Sequence, residues 1–240
     1  MRYIIASDFH LKYIESEEDK QRSLLVQNFL ESLIGKIDGL ILAGDIFDFW
    51  LEWKHVIIKD YFEIFCLFKQ LKDTGCRLIF LSGNHDFWLG TFLKDQIGFE
   101  IYTDIFTETI NNKKLFVSHG DLFTSNDHRY HLIKSFIRKP LVHKLALLLH
   151  PNISLWIGNL FSRSSKNRVK SAHLTQKQEK GLYNKAEELS REYDIIILGH
   201  THRPLKIAFD KSVYINCGDW ITNNSYCYFD DQKIDLIMTI

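Results

Sequence analysis

Asp8 and His10 in Asp8-Phe9-His10, Asp45 in Gly44-Asp45, Asn84 and His85 in Gly83-Asn84-His85-Asp86, His119 in His119-Gly120-Asp121, and His200 and His202 in Gly199-His200-Thr201-His202 could do chemistry together. Carboxylate and amide oxygens mixed with imidazoles suit Mn²⁺, Fe²⁺ or Zn²⁺, whereas Ca²⁺ would ask mostly for oxygen and structural zinc for cysteine. Asp8 and His10 are one residue apart, so at a strand end they face the same side and can reach one ion. Asp45 can bridge. A bridging carboxylate holds two cations about 3.5–4 Å apart, a separation suited to in-line displacement at phosphorus by a hydroxide seated between them. On that arrangement His202 joins Asp8 and His10 on the first ion, and Asn84, His119 and His200 complete the second. Singly, an Asp at a strand end reads as a turn or cap residue and a His as a hydrogen-bonded core residue. Five such clusters in one chain read as a site.

Each cluster follows a strand-like run: Tyr3-Ile4-Ile5-Ala6, Leu40-Ile41-Leu42-Ala43, Leu78-Ile79-Phe80-Leu81, Leu115-Phe116-Val117 and Ile195-Ile196-Ile197-Leu198. In an α/β sheet these run ends converge on one edge. The patterning predicts strands near 2–7, 38–43 and 76–82 alternating with helices near 18–35 and 58–74, the rhythm of a sheet covered by helices. Between 99 and 118 two strand-like runs flank Asn111-Asn112-Lys113, a hairpin signal. Residues 122–192 are helical in pattern, and strands resume near 194–199, 204–209, 212–217, 225–230 and 233–239. His119 and His200 flank the helical block, so it interrupts a sheet. It divides the chain into a core of 1–121 and 177–240 and a helical cap of 122–176. The helix near 177–192 leads back to the sheet, with Gln178, Leu182, Ala186 and Leu189 at helical spacing. Asp48, Asp86 and Asp121 are placed to orient histidines or backbone.

A chain of 240 residues with 45% hydrophobic content can bury a sizeable core, and one domain with an insertion fits that length. Thirty basic and thirty acidic side chains cancel, which argues against a surface coated uniformly for nucleic acid or membrane and still allows local patches. Cys66, Cys76, Cys217 and Cys227 form no close-spaced pair, so they read as reduced thiols in a cytosolic compartment. The first strand follows Met1 almost at once, leaving no room for a leader. No apolar stretch reaches the roughly 20 residues of a spanning helix.

The ordered set DxH, GDxxD, GNHD, HGD and GHTH resembles the calcineurin-like metallophosphoesterase superfamily, and it spans nearly the whole chain. The resemblance implies a four-layer α/β/β/α sandwich, two metal ions, and hydrolysis of a phosphate ester or anhydride. The mechanism that follows has a metal-bridging hydroxide attack phosphorus. His85, beside Asn84, stabilises the transition state or protonates the leaving group.

Between Asp127 and Glu179 no acidic residue occurs, yet that stretch carries ten cations, among them Arg129, Arg138, Lys139, Lys144, Arg163, Lys166 and Lys170. Leucines, isoleucines and Trp156 are interleaved with them. Such a mixture suits a surface for phosphates or anionic headgroups and an element that seats on a membrane interface or an acyl chain. Ser7-Asp8-Phe9-His10-Leu11, Gly44-Asp45-Ile46-Phe47-Asp48-Phe49-Trp50, Asn84-His85-Asp86-Phe87-Trp88-Leu89-Gly90 and Gly199-His200-Thr201-His202-Arg203-Pro204 resemble UDP-2,3-diacylglucosamine pyrophosphohydrolases, as does Ser162-Arg163-Ser164-Ser165-Lys166.

That narrower resemblance implies action in lipid A synthesis on the cytosolic face of the inner membrane, with release of UMP and 2,3-diacylglucosamine 1-phosphate. Mn²⁺ is the usual metal of these enzymes, and a nucleotide-linked glycolipid rather than nucleic acid is the partner. Asp127, Tyr130, Arg163, Ser165, Lys166, Lys170 and Asn84 become candidate contacts to the sugar phosphate. The best-known enzymes of this group carry Arg where this chain has His85, which leaves open a relative acting on another nucleotide, phosphodiester or phosphomonoester. A non-catalytic scaffold on the same fold is the remaining alternative, disfavoured by the intact ligand set.

Overall fold

The strand runs are buried on both faces, and double burial of that kind requires a layer above and a layer below each sheet. The computed structural model describes residues 1–13, 16–124, 137–167 and 172–239, with side chains left out over 161–174. One sheet has the order β11-β10-β1-β2-β3-β4, formed by Ile234–Met238, Ser225–Phe229, Tyr3–Ala6, Gly39–Ala43, Arg77–Leu81 and Glu100–Tyr102. The second has the order β5-β6-β7-β9-β8, formed by Ile105–Ile110, Lys113–Ser118, Ile195–Leu198, Val213–Asn216 and Leu205–Ala208.

Alternate residues of each central strand face opposite layers. Ile4, Ala6, Leu40, Leu42, Leu78 and Phe80 pack under two helices, α1 (Glu17–Leu33) and α2 (Phe62–Asp73), meeting Val26, Leu30, Ile64, Phe65 and Phe68. Tyr3, Ile5, Ile41, Ala43, Ile79 and Leu81 face the other way, onto Leu115, Val117, Ile195 and Ile197 of the second sheet. Phe116, Ile196 and Leu198 form the far face of that sheet and pack on Leu182 and Ala186. The result is a four-layer α/β/β/α sandwich.

β1, β2, β3 and β4 run parallel, as do β6, β7 and β9. The ends that follow parallel strands therefore lie side by side, which is where open α/β sheets place their ligands. Three clusters come from the first sheet, after β1, β2 and β3, and two from the second, after β6 and β7. This differs from convergence on the edge of a single sheet. Burial periodicity reports that both faces of a strand are covered, but not which strands are its neighbours.

The stretch 99–118 likewise holds three strands rather than two. The chain breaks at Thr103-Asp104, so that Glu100 pairs beside Ile79 in the first sheet while Ile105 opens the second. The Ser82 hydroxyl donates to the Thr103 carbonyl at this crossing. Asn111 and Asn112 both have positive φ, 51° and 59°, the pair of left-handed residues that a type I′ hairpin turn needs.

Between β6 and β7 the described residues form three helices, α3 (Pro140–Leu148), α4 (Pro151–Asn167) and α5 (Ala172–Leu189). α5 carries Leu182 and Ala186 of the fourth layer and starts a little before the helix read near 177–192. Pro140 opens α3, where a missing N–H costs nothing. The apolar residues of α3 and α4 divide into two sets. Ala146, Leu147 and Leu155 pack toward the first core, where the Tyr13 hydroxyl donates to the Leu155 carbonyl. Leu141, Leu145, Leu148, Leu149, Ile153, Trp156 and Leu160 face out and are exposed. Among the described residues no helix is long and apolar enough to cross a membrane.

Candidate metal centre

Five of the seven candidate ligands sit in a backbone conformation that side-chain-bearing residues rarely adopt: Asp8 (φ 57°), His10 (46°), Asp45 (53°), His200 (70°) and His202 (62°). Asp and His tolerate the left-handed region better than most residues, but each instance still costs of order 1 kcal/mol or more and concentrates at functional sites. The ladder continues into these loops. Asp8 N–H donates to the Gly44 carbonyl and His10 N–H to the Asp45 carbonyl, each at 3.0 Å, so the loops after β1 and β2 hold one another.

The loops after β2 and β3 are stitched by Asp86. Its fully buried carboxylate accepts from the N–H groups of Gly83 (2.7 Å), Ile46 (2.8 Å), Asp45 (3.2 Å) and Phe47 (3.3 Å). Gly83 is required at this junction because a Cβ there would stand 2.1 Å from Asp45 Oδ1 and 2.4 Å from its backbone N.

Among the described residues three groups bring metal-ligand atoms together: His10 with Asp48 and His85 is one, and two trios of candidate ligands are the others. Asp8, His10 and His202 offer ligand atoms all within 4.8 Å of one another, and so do Asp45, His119 and His200. His10 Nε2 lies 3.7 Å from Asp8 Oδ1 and 3.8 Å from Asp45 Oδ2, so Asp45 reaches toward both trios. His202 Nε2 is 3.5 Å from Asp8 Oδ1, and His119 Nε2 is 3.3 Å from Asp45 Oδ2. Asn84 Oδ1 lies 3.1 Å from His119 Nε2, and His200 Nδ1 is 3.3 Å from that same nitrogen. Three imidazoles have the opposite nitrogen occupied: His10 Nδ1 by Asp48 Oδ1 (3.2 Å), His119 Nδ1 by the Ala43 carbonyl (3.0 Å) and His202 Nδ1 by Asp219 Oδ2 (3.1 Å). Each is thereby held with Nε2 turned to the carboxylates, the arrangement typical of metal-ligating histidines.

These residues fit a cation. Asp8 is fully buried, and neither carboxylate oxygen has a hydrogen-bond partner; His10 Nε2 is buried and unpartnered as well. An uncompensated buried carboxylate costs several kcal/mol, which a divalent ion offsets. Within the protein alone, burial disfavours ionisation of Asp8 and Asp45, yet the neighbouring imidazoles, His202 for Asp8 and His119 for Asp45, hold both below the usual carboxylate range. Reciprocally, burial opposes protonation of His10 and His119, but Asp48 and Asp8 around the first and Asp45 beside the second push each up to about 10. Burial and the Asp45 charge raise Asp86 to about 6.

His85 lies at the rim between the trios. Its N–H donates to Asp45 Oδ1 (2.8 Å), its Nδ1 donates to the Asp48 carbonyl (3.0 Å), and its ring stands edge-on to His10 with centroids 4.9 Å apart. Asp48, taken from the sequence as an orienting group, contacts His10, and Asp121 is buried in the loop after His119. The sequence does not mark Asp219 as part of the site. It lies 17 residues from His202, outside any of the five clusters, and only its place after the strand-like Tyr214-Ile215-Asn216 hinted at the same edge.

Asp127, Tyr130 and Lys170 lie outside the described residues, and the side chains of Arg163, Ser165 and Lys166 lie outside those described. Arg138 is described: Nη2 donates to the Gly83 carbonyl and Nη1 to Asp104, both at 3.1 Å, so the stretch between β6 and β7 is tied directly to the third cluster.

The calcineurin-like phosphoesterase model matches residues 1–204. A UDP-2,3-diacylglucosamine hydrolase of Porphyromonas gingivalis is 27% identical over 247 residues, covering 96% of this chain and 94% of that one. One from Ectopseudomonas mendocina is 28% identical over 226 residues, covering 90% and 89%. Among solved structures, an archaeal phosphodiesterase aligns over 100% of both chains at 18% identity with a TM-score of 0.49. The family depends on divalent metals, and the two trios are able to hold them. The chain belongs to the calcineurin-like phosphoesterase family and is a metal-dependent hydrolase of phosphate esters or anhydrides.

Proposed function

We propose that the protein hydrolyses the pyrophosphate bond of UDP-2,3-diacylglucosamine, giving UMP and 2,3-diacylglucosamine 1-phosphate, a step of lipid A synthesis. The observation that carries the reaction class is the pair of trios with Asp45 reaching toward both. Asp8, His10 and His202 would hold one divalent ion, Asn84, His119 and His200 a second, and Asp45 would serve both; Mn²⁺ is the metal we assign. When bound, such a pair polarises phosphoryl oxygens and makes water nucleophilic at neutral pH. Asp45 fixes the spacing of the two trios, and Asp86 fixes Asp45 through the backbone. His85 has its Nδ1–H committed to the Asp48 carbonyl, so donation to the leaving-group oxygen would come from Nε2 when that nitrogen carries a second proton. His85→Ala therefore slows a substrate with a poor leaving group by about 100-fold or more and an activated aryl ester far less. Equal turnover of the poor leaving group by the variant would remove His85 from the mechanism.

The substrate assignment is supported by relatives of that name aligned over at least nine-tenths of this chain. It is supported also by the helices between β6 and β7. We read 1–121 and 177–240 as the core and 122–176 as a cap, with α3 and α4 presenting their exposed leucines and Trp156 in a segment free of acids. An anionic, acyl-bearing substrate and the cytosolic surface of the inner membrane both suit that chemistry. Turnover of UDP-2,3-diacylglucosamine with Mn²⁺ exceeds that of the unacylated UDP-sugar by at least about 100-fold in kcat/KM, since burying four methylenes at about 0.8 kcal/mol each supplies that much. The double variant Leu148→Asp, Trp156→Asp sediments less with phosphatidylglycerol-containing vesicles. Equal rates on the two substrates leave a general phosphoesterase, and unchanged sedimentation removes the membrane surface.

A further inference from the structure

His202 is the imidazole of the centre that packing orients least: 28% of its side chain is exposed, against 4% for His10 and 1% for His119. Something else must hold it. Asp219, itself buried, places Oδ2 3.1 Å from His202 Nδ1. Its other oxygen is fixed by three donors, the N–H groups of Thr222 (3.1 Å) and Asn223 (3.0 Å) and Asn223 Nδ2 (2.9 Å). Asn223 Nδ2 also reaches the His202 carbonyl at 3.0 Å, so the loop grips His202 by ring and by backbone. The next residue extends the grip to the other side of the trio: Trp220 N–H donates to the Asp8 carbonyl at 3.1 Å.

We propose that Asp219 is a positioning residue that holds His202 as its Nδ1–H form with Nε2 facing Asp8, and so sets the affinity of the Asp8, His10, His202 trio for its ion. The inference rests on His202 holding metal. A carboxylate can only accept, so the Nδ1 nitrogen must carry the proton, which leaves the Nε2 lone pair for the ion. An asparagine at this position cannot substitute. Its amide oxygen can face either the His202 ring or the three N–H donors, and its NH₂ then meets a donor on the other side.

Mn²⁺ binding isotherms on Asp219→Asn, His202→Ala and the double variant test this, with thermal melting of the metal-free proteins as the check on folding. Asp219→Asn weakens one of two Mn²⁺ ions by about 10–100-fold and leaves the other near wild type, and excess Mn²⁺ restores turnover. In the His202→Ala background the Asp219 substitution adds little, because the ring it positions is gone. Wild-type affinity for both ions in Asp219→Asn overturns the proposal, as does a full additional penalty in the double variant. Wild-type affinity in His202→Ala instead removes His202 from the metal site, a separate failure. Asp219→Ala, which deletes the acceptor without reversing a dipole, carries the same comparison if Asp219→Asn does not fold.

Discussion

Asp45→Asn, assayed with saturating Mn²⁺, turns over at least about 1,000-fold more slowly than the wild type and retains no more than one tightly bound ion. Asp45 Oδ2 stands 3.3 Å from His119 Nε2 in one trio and 3.8 Å from His10 Nε2 in the other, so it is the carboxylate that belongs to both. The amide that replaces it has the same shape but cannot neutralise charge from two sides. Loss of a paired-ion clamp forfeits several kcal/mol of transition-state stabilisation, and each 1.36 kcal/mol is tenfold in rate. Folding should survive. Without metal, the attraction of Asp45 to His119 is opposed by its repulsion of Asp86, which it helps push up to about 6. Asp45 is nonetheless held, against the cost of burial, below its ordinary value by the imidazoles around it, so its charge is net favourable and the metal-free variant melts below the metal-free wild type. Kinetics with a phosphodiester, metal content after dialysis, and a melting curve separate these effects. A variant that keeps two ions and a rate within tenfold of wild type would remove Asp45 from the bridge.

The clusters were legible because each follows an uninterrupted apolar run, and such runs are central strands whose ends gather where parallel strands stop. Ile195-Ile196-Ile197-Leu198 before His200 carries the same information as Leu40-Ile41-Leu42-Ala43 before Asp45. The partition into two sheets was not legible from the runs themselves, since alternation at Tyr3 to Ala6 is identical whichever layer covers each face. Nor does any residue type announce that Asp8, His10, Asp45, His200 and His202 all bend into positive φ. Asn111-Asn112 does announce it, because asparagine pairs are a recognised hairpin turn.

The division of α3 and α4 residues followed the same limit. Leu147 and Leu155 turn inward while Leu148 and Trp156 turn outward, and in a segment this rich in apolar residues spacing alone does not choose the face. Asp219 was missed for a different reason: its partner is 17 residues distant, and only the return of β9 and β10 beside β7 and β1 brings the loop to His202.

Metal loading of the purified apoprotein releases protons and tightens steeply with pH. His10 and His119 have an ordinary value near 6.5 and are pushed up to about 10 in the metal-free protein, so at pH 7 both rings carry a proton where an ion needs a lone pair. Each ion displaces one of these protons, so each apparent affinity rises about tenfold per pH unit and the product of the two by up to about 100-fold per unit between pH 6 and 8.5. Stability of the metal-free protein moves the opposite way. Between about 6.5 and 10 the native state holds protons on His10 and His119 that the unfolded chain has lost, so unfolding free energy falls as pH rises. The stabilisation from these two rings is complete below 6.5 and gone above 10. At the acid end, Asp8 and Asp45 lie below their ordinary values, so their contribution is present above about pH 4 and is lost as pH falls through the lowered values. Melting temperatures of the chelator-treated and Mn²⁺-saturated proteins should therefore diverge from pH 6.5 to 8.5, the first falling and the second holding or rising. Calorimetric titration of Mn²⁺ in buffers of different ionisation enthalpy counts the protons directly. A count near zero at pH 7 would mean that the rings are already neutral, and that the buried carboxylates are compensated by some arrangement other than imidazolium.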